Sequence, residues 1–114
     1  MAKKRKILGL TETVILQGNN RKKKVAARID TGAKTSSIDV KLAKELGLGK
    51  VIRKKKVKSA SGITVRPIKK AKIKLKDKVM FAEFTIADRN HMRYKVLVGR
   101  NILTKTGFLI DPAK

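Results

Sequence analysis

Asp30-Thr31-Gly32-Ala33 stands directly after an apolar, alternating stretch that ends at Ile29. A carboxylate delivered at the end of a rigid strand, followed by a hydroxyl and by a glycine that lets the chain turn, is a way to present a general acid or base. The same residue types also make an ordinary turn at a strand end. Two further stretches accompany it. Val96-Leu97-Val98-Gly99-Arg100-Asn101-Ile102-Leu103 runs an apolar strand into a glycine and a short helical turn, and residues 57–65 set two β-prone arms around Ser59, Ala60, Ser61 and Gly62. Taken singly, the first is a core strand with its turn and the second is a hairpin. Their order in one short chain is what makes them a candidate site.

The remaining inventory narrows the chemistry. The absence of Cys removes disulfides, thiol nucleophiles and thiolate metal ligands together. His91 is the sole imidazole, too few for a structural zinc site or an H-E-x-x-H helix, and it reads as a loop or surface residue. No G-x-x-x-x-G-K-[ST] loop is present to cradle nucleotide phosphates. No metal and no cofactor are therefore expected. A length of 114 residues holds one core, so residues 1–114 are expected to form a single domain, too small for two active-site halves. Residues 1–6 are basic and are expected to be flexible. The apolar stretch 7–10 is interrupted by Thr11, Glu12 and Thr13, well short of a signal-peptide core. No run approaches the roughly 20 residues of a membrane span, so the expectation is a soluble cytoplasmic protein with no membrane partner.

Alternation dominates the elements that must position these residues. Val25, Ala27 and Ile29 share one face, and 14–16 precede them across a turn at Gly18-Asn19-Asn20, which predicts a β-hairpin. Ala71, Ile73 and Leu75 alternate with lysines, and after a turn near Asp77 a return strand carries Met80, Ala82, Phe84 and Ile86 on one face. Two segments predict short helices. One follows Asp39 as N-cap, with Leu42, Ala43 and Leu46 on a face and Gly47 as its stop; the other covers 101–105 before Gly107, with 108–110 as a last short strand. With no βαβ repetition, the fold class is mostly β, a small barrel with one or two short helices.

In this order and size the chain resembles the retropepsin-like aspartic proteases, from about Val14 to Pro112. Asp30-Thr31-Gly32-Ala33 is similar to their catalytic loop, 57–66 to their flap hairpin, and 97–103 to the glycine-containing stretch before their helix. Ile29 to Ser37, Arg66-Pro67, Asp88-Arg89-Asn90 and Phe108 to Pro112 resemble one branch, labelled ATP-dependent zinc proteases and associated with RimK-type glutamate ligases. The zinc and ATP of that label find no residues here. The resemblance implies a small closed β-barrel of the acid-protease type and an aspartic endopeptidase. Such a site needs two carboxylates sharing one proton, and one Asp-Thr-Gly per chain implies a homodimer with Asp30 from each copy. Thr31 would then hydrogen-bond across the axis, Gly32 and Ala33 would leave room for substrate backbone, and 59–62 would close over it. Viral relatives carry an acid after this loop as the partner of the arginine equivalent to Arg100; here Lys34 occupies that position, so the subsite chemistry must differ.

Charge adds a second line. Lys and Arg number 31 against 8 Asp and Glu, a net +23, and a dimer at +46 calls for a polyanion. The branch is linked to glutamate tails added by RimK-type ligases, and a groove flanked by Lys34 and Arg66 would suit an acidic peptide. The alternative is a non-catalytic binding module for RNA, the ribosome or another polyanion, with lysines of 21–24, 53–58 and 69–78 on phosphates and weak, sequence-blind nucleic-acid binding. The same lysines also suit a solvated face, a thermophilic surface or protection of exposed strand edges.

Overall fold

The structure is a computed structural model that describes residues 5–114. Residues 1–4, most of the segment expected to be flexible, lie outside the described residues. The elements are β1 Ile7–Leu8, β2 Thr11–Gln17, β3 Lys22–Ile29, β4 Ser36–Asp39, α1 Val40–Leu46, β5 Arg53–Ser59, β6 Gly62–Leu75, β7 Lys78–Ala87, β8 Val96–Val98, α2 Arg100–Thr106 and β9 Leu109–Ile110.

Alternation builds the barrel as expected. The β2–β3 hairpin pairs Val14 with Val25 and Glu12 with Ala27, and β6 pairs with β7 through Ala71 opposite Ala82 and Ile73 opposite Met80. Strands run in the order β2-β3-β8-β4-β7-β6, and pairing of β6 back onto β2, Leu16 opposite Ile73, closes six strands into a barrel. Inside it lie Val14, Leu16, Ala27, Ile29, Ile73, Leu75, Phe84, Val96 and Val98. The first half of β6 leaves the barrel and pairs with β5 as a hairpin, Ser59 opposite Gly62, while its second half is barrel wall.

Both helices form. Asp39 caps α1 by accepting from the Lys41 N–H (3.1 Å), and Gly47 ends it in the left-handed conformation (φ 70°) that a side chain would disfavour. Helix α2 begins at Arg100, one residue before the expected start, and seals the barrel with Ile102. Sequence patterning misses β4 because Ser36, Ser37, Ile38 and Asp39 are all buried, so nothing alternates. The strand lies between β8 and β7, parallel to β7. It also misses β1, which pairs in parallel with β9 through Ile7 opposite Leu109; two residues are too short for any periodicity.

One side-chain amide ties the loop after β3 to the start of α2. Asn101 Oδ1 accepts from the Ser36 N–H (2.9 Å) and from the Ser36 hydroxyl (2.7 Å), while its Nδ2 donates to the Glu83 carbonyl (2.9 Å). Ser36 Oγ in turn accepts from the Gly99 N–H (2.8 Å). The backbones close in on each other here: a Cβ at position 99 would stand 2.8 Å from the Ala33 carbonyl oxygen and 2.9 Å from the Thr35 carbonyl carbon.

Two stability predictions follow from these contacts. Gly99→Ala pushes the 33–35 backbone away and costs about 1–3 kcal/mol in urea denaturation. Asp39 is buried and also accepts from the Arg89 N–H (2.7 Å); burial opposes its charge, but the Arg89, Lys41 and Leu42 N–H groups and Lys95 outweigh that and hold its pKa below the usual 3.8. Asp39→Ala should therefore cost about 2–4 kcal/mol at neutral pH. Because the folded pKa is depressed, this contribution is complete above 3.8 and lost as pH falls through the lower folded value, so wild type and variant should converge in acid.

Candidate active site

Strand β3 buries Ala27 and Ile29 and then delivers Asp30 at the barrel mouth. Its position is fixed from both sides by backbone: the Asp30 N–H donates to the Val98 carbonyl (2.9 Å) and the Ile29 N–H to the Leu10 carbonyl (2.8 Å). Asp30 Oδ1 accepts from the Gly32 N–H (2.9 Å), which sets the orientation of the carboxylate, and the Ala33 N–H closes the turn on the Asp30 carbonyl (3.3 Å). Asp30 is half-buried, whereas Thr31 and Gly32 are exposed. The loop then runs under α2, where the Arg100 N–H donates to the Ala33 carbonyl (2.8 Å) and the Asn101 N–H to the Lys34 carbonyl (3.2 Å). A carboxylate on a loop held by this many backbone bonds is preorganised for proton transfer.

Beside the loop, under the β5–β6 hairpin, lies a cleft of about 360 Å³. Its lining includes Ala33, Lys34, Thr35 and Ser37 from the loop and β4, Lys55 to Lys58 and Arg66 from the hairpin, and Thr85, Arg89 and Leu97 behind them. Among the described residues no carboxylate lines it. Lys55 reaches from the hairpin to the loop, Nζ donating to Thr35 Oγ1 (2.8 Å), and Arg53 pairs with Glu83 at the hairpin base. Arg89 is the buried cation of the cleft, 8% exposed, with its Nε donating to the Tyr94 carbonyl (3.0 Å). Burial and then Arg66 push its pKa below the ordinary value, with Arg28 adding to them, while Asp39 and Asp30 act against the shift. An arginine stays charged even so. A guanidinium held in place by one nitrogen and set next to a second arginine is suited to a carboxylate or another oxyanion.

The structure gathers the expected site residues unevenly. Ala33, Lys34 and Arg66 line the cleft together, and Asp30, Thr31 and Gly32 stand on the same loop immediately before them. Ala60 and Ser61 form the exposed turn between Ser59, the last residue of β5, and Gly62, the first of β6; Ala60, Ser61 and Gly62 do not line the cleft. Arg100 is exposed at the start of α2 and is also outside the lining. His91 is exposed in a turn. Sequence reasoning about the site missed Arg89, Lys55 and the Ser36–Asn101 bonds. Asp88-Arg89-Asn90 had drawn notice only as part of a family resemblance; its physical signal, an arginine whose backbone N–H meets a buried aspartate, exists only once the chain is folded.

Comparisons with known proteins agree with this geometry. No curated protein matches the chain in sequence. Among solved structures, Lpg0085 of Legionella pneumophila, a protein of unknown function, is similar with TM-score 0.66 and 22% identity, covering 96% of this chain and 94% of its own. The EIAV protease complexed with the inhibitor HBY-793 is similar with TM-score 0.65 and 24% identity over 93% and 91% of the two chains. The retroviral protease-like domain of Ddi1 from Leishmania major follows at 0.53 and 18%, over 82% and 74%. At these identities the likeness is one of fold. A family profile described as the retropepsin-like aspartic endopeptidase RimB matches residues 42–114, a span that begins after the Asp30 loop and covers more than half of the chain. The chain belongs to the RimB-like family of retropepsin-like aspartic endopeptidases, and its six-stranded barrel is their fold.

Proposed function

We propose that the protein is a homodimeric aspartic endopeptidase in which Asp30 of each copy forms the catalytic pair. The observation that carries this reading is the Asp30 loop itself, clamped beside a cleft that a β-hairpin overhangs. Each chain has one such loop, and the chemistry needs two carboxylates sharing a proton. The ionised member takes a proton from water as the water oxygen adds to the scissile carbonyl, and the protonated member gives its proton to the carbonyl oxygen. Collapse of the tetrahedral adduct then breaks the C–N bond and the amine leaves protonated. Thr31 and Gly32 are exposed, as they must be to meet a symmetry mate across a two-fold axis. Support for a second copy also comes from the β1–β9 sheet and the residue leading out of it, where Ile7, Leu109 and Leu10 are each about half exposed and the Leu10 carbonyl accepts from Ile29 beside Asp30.

The substrate we assign is an acidic peptide, such as a glutamate tail of the kind a RimK-type ligase adds. Lys34, Lys55, Arg66 and Arg89 give the cleft its charge, and among the described residues no carboxylate is in its lining. No helix among the described residues is long and apolar enough to cross a membrane. The cleft itself is open to a peptide segment.

Asp30→Asn should lower cleavage of a glutamate-tailed peptide by at least about 10²–10⁴-fold while leaving the thermal melt unchanged. Equal cleavage by that variant removes the aspartic mechanism, whereas a persistent monomer that binds the peptide without cutting it leaves a binding module. Sedimentation equilibrium should show a dimer that tightens with an oligo-glutamate peptide. Arg66→Ala should raise KM for the acidic peptide about tenfold and leave a neutral peptide unaffected.

A further inference from the structure

A second basic surface lies away from the cleft, on the outer wall of the barrel. The strand registers align two neighbouring rows across β3, β2, β6 and β7. One row is Lys22, Gln17, Lys72 and Phe81; the other is Lys24, Ile15, Lys74 and Val79. Strands stand about 4.8 Å apart and the rows about 6.7 Å apart, so four ammonium groups share a patch little more than one Debye length across. A groove of about 190 Å³ runs between Ile15, Gln17, Lys22, Lys72, Lys74 and Val79. A neighbouring depression shares Gln17 and Lys72 and adds Lys50, Lys70 and Phe81.

Three properties of this face point to its ligand. Among the described residues no carboxylate lines either depression, and none of Lys22, Lys24, Lys72 and Lys74 is in an ion pair. The cations that do find acids, Arg21, Lys23, Arg53, Lys76 and Lys114, have their partners in Glu45, Glu83 and Glu12. Phe81 is 66% exposed directly opposite Lys72, an aromatic ring standing in a field of ammonium groups. Every cation lining the two depressions is a lysine, a point charge that meets a phosphate oxygen singly rather than as a bidentate fork. Lysine point charges spaced along a wall beside an exposed ring are the parts of a site for a phosphodiester chain whose bases stack.

We propose that this face binds single-stranded nucleic acid, with backbone phosphates on Lys22, Lys24, Lys72 and Lys74 and a base stacked on Phe81. An acidic protein would use the lysines and leave the ring idle. The site is independent of Asp30 and stands whether or not the cleft cleaves peptides.

The test is fluorescence anisotropy with a labelled mixed-sequence RNA 12-mer and the DNA of the same sequence, across a salt series. Log K should fall linearly with log salt, by about 0.7 per phosphate contact, so the four lysines account for a slope of about −3. Replacing all four by Gln should remove that share of the slope. Phe81→Ala should weaken binding at least about fivefold at unchanged slope. Tighter binding of RNA or of DNA identifies which strand the face takes, and either supports the proposal. The proposal is overturned if the four-lysine variant binds like wild type, if Phe81→Ala loses nothing, or if poly-aspartate of equal charge displaces the 12-mer as well as unlabelled RNA does. Thermal melts and peptide cleavage, unchanged in both variants, exclude a general loss of fold.

Discussion

The carboxamide of Asn101 holds the molecule's working parts in register. It satisfies the amide and hydroxyl of Ser36 on one side and the carbonyl of Glu83 on the other, so the start of β4, the strand β7 and the first turn of α2 meet on one side chain. A buried polar network of this kind is stable only when every member is paired, and among the described residues no buried side-chain nitrogen or oxygen is left without a partner. Gly99 admits the 33–35 backbone to van der Waals distance, and the loop bearing Asp30 has nowhere else to go. The site is rigid because the fold is closed around it.

Charge is the second constraint. Only eight acids face 31 cations, and three of them are used structurally: Asp39 caps a helix and anchors Arg89, Glu12 gathers Gly9, Lys76 and Lys114, and Glu45 holds the β2–β3 turn through Arg21 and Lys23. Little negative charge remains to neutralise the cleft or the outer wall. Strand β5, which among the described residues pairs only with β6, is also guarded, since Lys54, Lys56 and Lys58 discourage pairing with another chain along its free edge.

Much of this was legible before folding. Period-two alternation located the β2–β3 hairpin and the lysine-faced β6–β7 pair, and Asp39, Gly47 and Gly107 marked helix ends through local chemistry. The loop at Asp30 was visible because Asp, Thr and Gly each have a local reason to follow a strand. What stayed hidden depends on contacts between distant segments. Strand β4 has no exposed face to alternate against, β1 is too short for a period and forms only against β9, whose place at 108–110 the sequence did show, and Arg89 acquires its role from Asp39 and Tyr94. The two lysine rows required the β2–β6 pairing that closes the barrel, because residues far apart in the chain become neighbours only there.

The bond between Asp30 and Val98 has a consequence for how the molecule comes into being. The hairpin that precedes Asp30 is local and can form early, but the amide of Asp30 finds its acceptor only in a strand near the other end of the chain, and Ile102 plugs the barrel later still. Non-local pairings of this kind are the slow steps of folding. A half-folded chain therefore carries Asp30 without the backbone bond that fixes its position.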